Sequence, residues 1–484
     1  MPTTIAAHLS RRFVILTVLL TMFTLQSKAE DWPKYRRDLL NTGYSAETGI
    51  SSTNVSSLKL KWRFPAGGRV TGTPAVVTIA GKSMVFFGTW RGVFYALNAV
   101  TGTQIWKYSI PALVPTPSCA SIPSGCEITS SAAVTNGIVY FGSRSGSLYA
   151  LNATTGAEVW KVQLGDPTQG YEIWSSPAVY NGMVIVGLAS HNDTPCVPGR
   201  VEARNATTGA SVWSFSTLDQ TSCPSGVCVG ASVWSSAAID AQYNMVYVST
   251  GNPGSTCSPG TANATRYPDS ILALNASTGQ LVNYFQAIAN DNRDLDFGSS
   301  PVLQVSGVIN QCQGTPTRIR YWVSAGNKNG VMYTLSRGAS GLQGPPTATL
   351  LDGSGIIASP LLVPHVTTSV CAPGRTRTIY QSDLIVPTTA GNIFDLAQNR
   401  NGAISIAQQE AITTSGLLSA PAGITDLIFF GGMNNTIYAM TTSGTIVWQY
   451  PTLGFVASGP AISNGRIYVG SVDNNLYAFS LNGQ

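Results

Sequence analysis

Charge is what this chain has least of. Lys, Arg, Asp and Glu make up 10% of its 484 residues. No cluster of Lys and Arg marks a nucleic-acid surface, so nucleic acid is excluded as a partner. Histidine is scarcer still: only His8, His191 and His365 are present. That leaves no clustered histidine set for a metal and no Ser-His-Asp arrangement to favour a hydrolase. The cysteines form neither a Cys-x-x-Cys redox pair nor a Cys-x-x-Cys-His haem site. After Leu25 no apolar run is long enough for a bilayer-spanning helix, which argues against an integral membrane segment.

What the chain has in abundance is a repeat. Ser130-Ser131-Ala132-Ala133-Val134, Asn136 to Ser143, Leu148 to Ala153, Thr155-Gly156 and Val159-Trp160 make one unit. A unit of about forty residues, with short β-rich runs between Gly and Asn turns, is the mark of a propeller blade. Versions begin near Thr71, Ser130, Ser175, Ser235, Ser299, Ser359, Ser419 and Ser458. The last unit stops at Gln484 without a fourth strand. The run Leu58 to Phe64 resembles the fourth-strand runs around Trp160 and Trp448, and pairing it with the last unit would remove two exposed edges. The expected fold is therefore all-β: an eight-bladed propeller of four-stranded antiparallel blades, closed by an N-terminal strand. Residues 58–484 read as this single domain and 30–57 as an N-terminal extension. Trp106, Trp160, Trp213 and Trp448 recur at the fourth-strand position, where packing between blades is the expected role.

Arg11-Arg12, the apolar run from Phe13 to Leu25 and Ser27-Lys28-Ala29 read as a signal peptide over residues 1–29. Removing Arg11, Arg12 and Lys28 would lower the formal charge from +5 to +2. A secreted or periplasmic location follows. All eight Cys lie after this segment (Cys119, Cys126, Cys196, Cys223, Cys228, Cys257, Cys312 and Cys371). An even count in an exported chain points to disulfides. Local staples Cys119–Cys126 and Cys223–Cys228 are expected, with longer bridges Cys196–Cys257 and Cys312–Cys371. Sequons at Asn54, Asn152, Asn192, Asn205, Asn263, Asn275 and Asn434 fit a glycoprotein, although the blade turn by itself accounts for Asn152, Asn205 and Asn275.

The recurring Tyr-Ala-Leu-Asn-Ala-x-Thr-Gly-x-x-x-Trp pattern resembles the quinoprotein alcohol dehydrogenase family, whose propellers bind pyrroloquinoline quinone (PQQ). The stretches Asp269 to Leu274 and Asp294 to Gly298 resemble its polyvinyl-alcohol-dehydrogenase-like branch. The resemblance covers Asp31 to Gly483. It implies that Trp234, in Gly230-Ala231-Ser232-Val233-Trp234-Ser235-Ser236, forms a floor beneath PQQ, with Trp174 as its counterpart. In Ser249-Thr250-Gly251-Asn252-Pro253, Asn252 would offer a neutral oxygen to Ca2+. Lys328, in the Gly326 to Leu335 stretch, would stabilise charge as the quinone accepts hydride.

Departures from the family accompany these matches. Its Asp-rich loop contains a Trp, which the run Ala289 to Phe297 lacks. Asp291 or Asp294 would accept the alcohol proton, and Asp296 would stabilise the loop. Where the family has a Glu metal ligand, this chain has Leu188 to Asp193. Asp193 would substitute as the oxygen ligand, while Glu172 lies too early for the motif. The adjacent Cys pair found in several relatives is absent. The implied function is oxidation of an alcohol with PQQ and Ca2+, electrons leaving to a separate acceptor. The alternative is a non-catalytic secreted propeller acting as a scaffold or binding protein.

Overall fold

The computed structural model describes residues 30–110, 127–190, 197–218, 230–253, 267–289, 291–312 and 316–484. The expected signal peptide, Asp193, the sequons at Asn192 and Asn263 and every Cys except Cys312 and Cys371 lie outside these residues. Among the described residues, no helix is long and apolar enough to cross a membrane.

Eight four-stranded antiparallel blades surround one axis. They occupy residues 75–109, 133–163, 178–216, 238–286, 302–350, 361–411 and 422–451, with 461–481 completing the last. The last blade takes its outer strand from the N-terminal side: Leu58–Pro65 runs antiparallel to Asn475–Leu481, from Leu58 opposite Leu481 to Pro65 opposite Asn475. Closure is therefore as expected. The irregular fifth and sixth units fuse into a single eight-stranded sheet, because Gly307 to Asn310 pairs with Tyr380 to Arg377. The Cys312–Cys371 disulfide joins the same two blades.

The repeat motif is a docking device between blades. The indole N–H of each outer-strand Trp donates to a carbonyl of the next blade: Trp62 to Ala99, Trp106 to Ala153, Trp160 to Ala206 and Trp213 to Ala276. The Asn just before each of these acceptors folds the receiving turn. Asn152 Oδ1, for example, accepts the N–H groups of Thr154 and Thr155. Asn98 does the same without being part of a sequon, so the turn alone explains the repeated Asn. The Gly of the motif lies under the indole; at Gly156 a Cβ would sit 2.7 Å from Trp106. A β-bulge in the outer ladder next to each docking Trp twists the blade edge away from other chains.

Around the axis, hydroxyls tie the blades together. At one position per blade the backbone N–H donates to a Ser Oγ of the next: Thr73 to Ser131, Ser131 to Ser176, Ser176 to Ser236, Ser236 to Ser300 and Ser300 to Ser359. The seventh and eighth blades carry Ala420 and Gly459 there, without hydroxyls. Arg36 bridges that gap by donating to the carbonyls of Pro360 and Pro421. Ser419 and Ser458 close the circle by donating to Ser458 and Gly72 carbonyls.

Arg36 belongs to the N-terminal extension, which forms a plug along the inner strands. Its carbonyls accept from the inner strands: Trp32 from Val76, Pro33 from Val134, Leu39 from Ile239, Leu40 from Leu303, Thr42 from Leu362 and Gly43 from Gly423. Lys34 is buried there, donating to Tyr35 and Asp38 carbonyls and Asn41 Oδ1 at 2.7–2.8 Å. Burial pulls its ammonium down to about 7, against the opposing pull of Asp38. The extension reaches the hairpin turns at Asp426 and Asn464, and an open cavity separates it from the inner strands at Thr135 and Val179.

Two glycines with similar backbone angles test the docking motif. Gly137 and Gly156 both have φ of 74°, yet a Cβ on Gly137 meets nothing within 4 Å. Gly137→Ala should cost only left-handed strain, about 1 kcal/mol. Gly156→Ala should cost roughly 2–4 kcal/mol, because overpacking against Trp106 is added. Chemical denaturation midpoints of the two variants check this. Equal losses would show that the indole contact contributes nothing.

Candidate active site

In an antiparallel blade, the loops joining strands two and three lie at the same mouth as the blade-to-blade connections. Here that is the mouth opposite the plug. Trp90, Arg144, Asn252 and Lys328 come from the first kind of loop, and Glu172, Trp174, Trp234 and the Asp291–Asp296 run from the second. The candidate residues gather into two adjoining groups.

The first group centres on Lys328. Its ammonium lies 6.0 Å from the centroid of the Trp234 ring. It also donates to Asp294 Oδ1 at 2.7 Å and Asp296 Oδ2 at 3.2 Å. Its backbone N–H donates to the Asp296 carbonyl, which seats the Lys328 turn on the Asp loop. Burial alone would depress the Lys328 pKa, but Asp296 and Asp294 together raise it. The side chain is therefore a fixed cation, not a solvated turn charge.

The Asp loop divides its carboxylates between tasks. Asp291 is buried and accepts the backbone N–H groups of Arg293 and Leu295, so both of its oxygens hold the loop. Asp294 has a 65% exposed side chain and faces Lys328 from the open side. Asp296 is buried and accepts the Asn252 N–H at 2.7 Å. Burial lifts Asp296 to about 6, although Lys328 pulls it down. Arg293 is exposed and makes no ion pair among the described residues.

Asp269 lies behind this loop. It is fully buried, and neither of its carboxyl oxygens has a hydrogen-bond partner. Burial, reinforced by Asp291 and Asp296, pushes it up to about 9. Its φ of 47°, with positive values at Ala231, Tyr267 and Asp294, concentrates backbone strain around this one site. The sequence marks Asp269 only as part of a branch-like stretch. Its desolvation arises from the packing of distant loops.

The second group holds Trp174. Glu172 accepts the Trp174 indole N–H at 2.8 Å and pairs with Arg144 through both oxygens. Arg144 also reaches Glu127, at 3.4 Å, and lies over the Trp174 ring, which Trp90 meets edge-on at 6.5 Å. Trp174 is thus oriented by a buried ion-pair set rather than by Lys328. Arg144 and Glu127 were missed in the sequence, where the only signal was a charged residue in a chain that has few.

A flat aromatic floor, a fixed cation and an exposed carboxylate at one mouth fit a planar anionic quinone and a reacting alcohol. Among the described residues, no three His, Cys, Asp or Glu side chains converge to hold a metal alone. A cation here would need the Asn252 amide and oxygens from elsewhere.

The glucose/ethanol/alcohol dehydrogenase β-propeller domain, designated PQQ, matches residues 32–341. The outer membrane protein assembly factor BamB matches residues 390–484. The chain is 28% identical over 281 residues to the quinoprotein alcohol dehydrogenase PedH of Pseudomonas putida, covering 52% of this chain and 45% of that protein. It is 22% identical over 344 residues to a polyvinylalcohol dehydrogenase of a Pseudomonas species, covering 64% and 50%. The chain thus spans about half the length of these relatives. The crystal structure of a quinohemoprotein alcohol dehydrogenase from Comamonas testosteroni superposes with a TM-score of 0.72 at 21% identity. That match covers 94% of this chain and 81% of the other.

The buried carboxyl of Asp269 sets a pH dependence. Folded, it keeps its proton to about 9, whereas unfolded it loses it near the ordinary value of about 4. Between those values the folded state binds the extra proton, so this group's contribution to stability falls as pH rises. The charges of Asp291, Asp296 and Asp294 push in the same direction as burial, and that of Lys328 opposes them. Asp269→Asn should therefore raise the stability of the cofactor-free protein at pH 8, with the gain shrinking towards pH 4. Urea unfolding at both pH values would refute this if the gain were absent or grew on acidification.

Proposed function

We propose a function from one premise: this chain belongs to the glucose/ethanol/alcohol dehydrogenase β-propeller family. The reading is a secreted or periplasmic PQQ-dependent oxidoreductase that oxidises an alcohol and passes electrons to a separate acceptor. The observation that carries it is Lys328, held over Trp234 and between Asp294 and Asp296 at the open mouth.

Bound PQQ would supply the electron-poor quinone that takes hydride from the alcohol carbon. Trp234 would stack on its ring plane. Lys328, already desolvated and charge-paired, would favour the developing negative charge. Asp294, the exposed carboxylate beside it, would accept the hydroxyl proton. Asp291 would keep the loop in shape, since both its oxygens are committed to backbone N–H groups. Asn252 would contribute a neutral oxygen to Ca2+.

The finer assignment, to the polyvinyl-alcohol-dehydrogenase-like branch, rests on the stretches Asp269 to Leu274 and Asp294 to Gly298. It points to secondary alcohols as substrates. A second reading, a non-catalytic scaffold, draws on the BamB match over residues 390–484. That segment excludes every candidate residue of the site.

Calorimetry of the mature protein with PQQ, in the presence and absence of Ca2+, tests the proposal. Near-stoichiometric, Ca2+-dependent binding is expected, lost in Trp234→Ala and weakened in Asn252→Ala. With an artificial electron acceptor, Asp294→Asn should lower kcat by about 10²–10⁴, and Lys328→Met by about 10²–10³. A well-folded wild type that binds no PQQ would sink the quinone reading and leave the scaffold.

A further inference from the structure

The sheet shared by the fifth and sixth blades carries the longest first and second strands of the propeller. Val302–Asn310 and Arg318–Gly326 have 9 residues each, Leu361–Ala372 has 12 and Arg375–Pro387 has 13. The corresponding strands of the first blade have 5 and 7. The extra length forms a plate at the plug end. Gly307 to Asn310 pairs on one side with the start of the Arg318 strand and on the other with Tyr380 to Arg377, which pairs in turn with Val366 to Ser369. The Cys312–Cys371 disulfide ties the two hairpins near their tips.

Opposite residues in a ladder share a face, and so do residues two apart on a strand. Register therefore sets Arg318, Val308, Ile379 and Thr367 in one row across four strands. Asn310, Arg377 and Ser369 form the next row on that face, and Arg320 with Ser306 the row before. Arg375 follows Arg377 on the same face. Arg318 and Arg375 are exposed, and Arg320 and Arg377 half-buried. The oppositely charged pairs of these two blades are Lys328 with Asp294 and Asp296, Arg337 with Asp240, and His365 with Asp383. None of the four arginines is paired with an acid among the described residues. Asp383, the next acid on this face, lies six residues along the strand from Arg377, roughly 20 Å away, and is held by His365 Nε2 at 2.6 Å. No run of basic residues marks this cluster in the sequence, because pairing between blades assembles it.

The face is a trough rather than a plane. Trp322 lies on it two residues from Arg320, with its indole N–H donating to Ser306 Oγ at 2.8 Å. The turn over residues 399–402 is seated on that indole, so that a Cβ on Gly402 would strike the ring. Arg320 donates to Asn401 Oδ1 of the same turn at 3.2 Å. The turn walls one side, which keeps a flat bilayer off the arginines, and it covers the Trp322 ring on which a nucleic-acid base would otherwise stack.

Arginines two apart on a strand stand about 7 Å from each other, and the two hairpins' pairs are offset by about 10 Å. That spacing is too wide for one small anion and suits a thin chain with anionic groups at regular intervals. A planar guanidinium takes a carboxylate through two parallel hydrogen bonds. Ser306, Asn310, Thr367 and Ser369 stand among the arginines as neutral polar groups suited to hydroxyls.

We propose that this face binds a linear acidic polysaccharide through the carboxylates of its uronate sugars. The surface lies at the end of the propeller opposite Lys328, so it is independent of the quinone reading. It would hold the exported protein on an extracellular polymer with the open mouth left free.

The test is calorimetric titration of the mature protein with polygalacturonate, with neutral dextran, phosphatidylglycerol vesicles and oligothymidylate as comparisons. Polygalacturonate should bind, more weakly as salt rises, and dextran should not. Arg318→Gln/Arg375→Gln should weaken binding at least about 10-fold. Lys82→Gln/Lys107→Gln, which removes the same charge from exposed positions of the first blade, should leave the affinity unchanged. If the arginine double variant melts at a lower temperature, Arg375→Gln alone carries the comparison, with a smaller loss expected. A wild type that does not bind polygalacturonate overturns the proposal. So does an equal loss in the lysine variant, which would show an effect of overall charge alone. Tighter binding to the vesicles or to oligothymidylate would assign the face to another partner and overturn it as well. PQQ binding should be the same in all variants, so this proposal and the quinone reading fail separately.

Discussion

The structure depends on a circle of backbone N–H groups and serine hydroxyls around the propeller axis. Each blade is a small sheet with an edge facing the channel, and an unpaired edge there would leave buried donors without partners. The hydroxyls of Ser131, Ser176, Ser236, Ser300 and Ser359 fix the rotation of each blade relative to the one before it. The interruptions at Ala420 and Gly459 fall where the guanidinium of Arg36 and the turned hydroxyls of Ser419 and Ser458 take over. The N-terminal extension then satisfies the inner strands from within, and its departing strand completes the last blade.

Functional placement follows from that closure. The plug occupies one mouth with Trp32, Lys34, Arg36 and Asn41, leaving the opposite mouth for a ligand. The loops at that open mouth need not serve the ring, and around the Asp loop they carry irregular features: Ala231, Tyr267, Asp269 and Asp294 at positive φ, and in Asp269 a buried carboxyl without a hydrogen-bond partner. At the rim of each blade, Trp, Asn and Gly lock neighbours together. That rigid frame can hold strained loops at fixed separations.

Electrostatics set the character of the site because charge is so scarce elsewhere. Lys328 is fully committed to Asp294 and Asp296, and it still leaves Asp269 and Asp296 shifted upward by burial. In a low-dielectric pocket a single ammonium cannot compensate several carboxyls at different depths. The neighbouring set of Glu127, Arg144 and Glu172 is closer to balance, and it holds the Trp174 indole by a hydrogen bond. One group is nearly balanced in charge, and the other keeps a surplus of carboxyls around a single ammonium.

The number of blades, their strand order and the N-terminal closing strand were legible in the sequence, because repetition writes the same local instructions eight times. Turn residues and alternating apolar runs act over a few positions, so they survive in a linear reading. Trp234, Asn252, Asp294 and Lys328 were visible as motif matches. Their grouping was not, because the loops that carry them come from different blades. That the loop itself consumes the carboxylate of Asp291 and leaves that of Asp294 exposed is a matter of backbone geometry. Asp269, Arg144 and the plug were hidden for the same reason: burial and partnership across tens to hundreds of residues are properties of closure. The sequence by itself determined a ring of eight similar sheets. Only the tertiary structure decided which polar groups would be left desolvated at its open mouth, because desolvation depends on everything packed around a group and not on its neighbours in the chain.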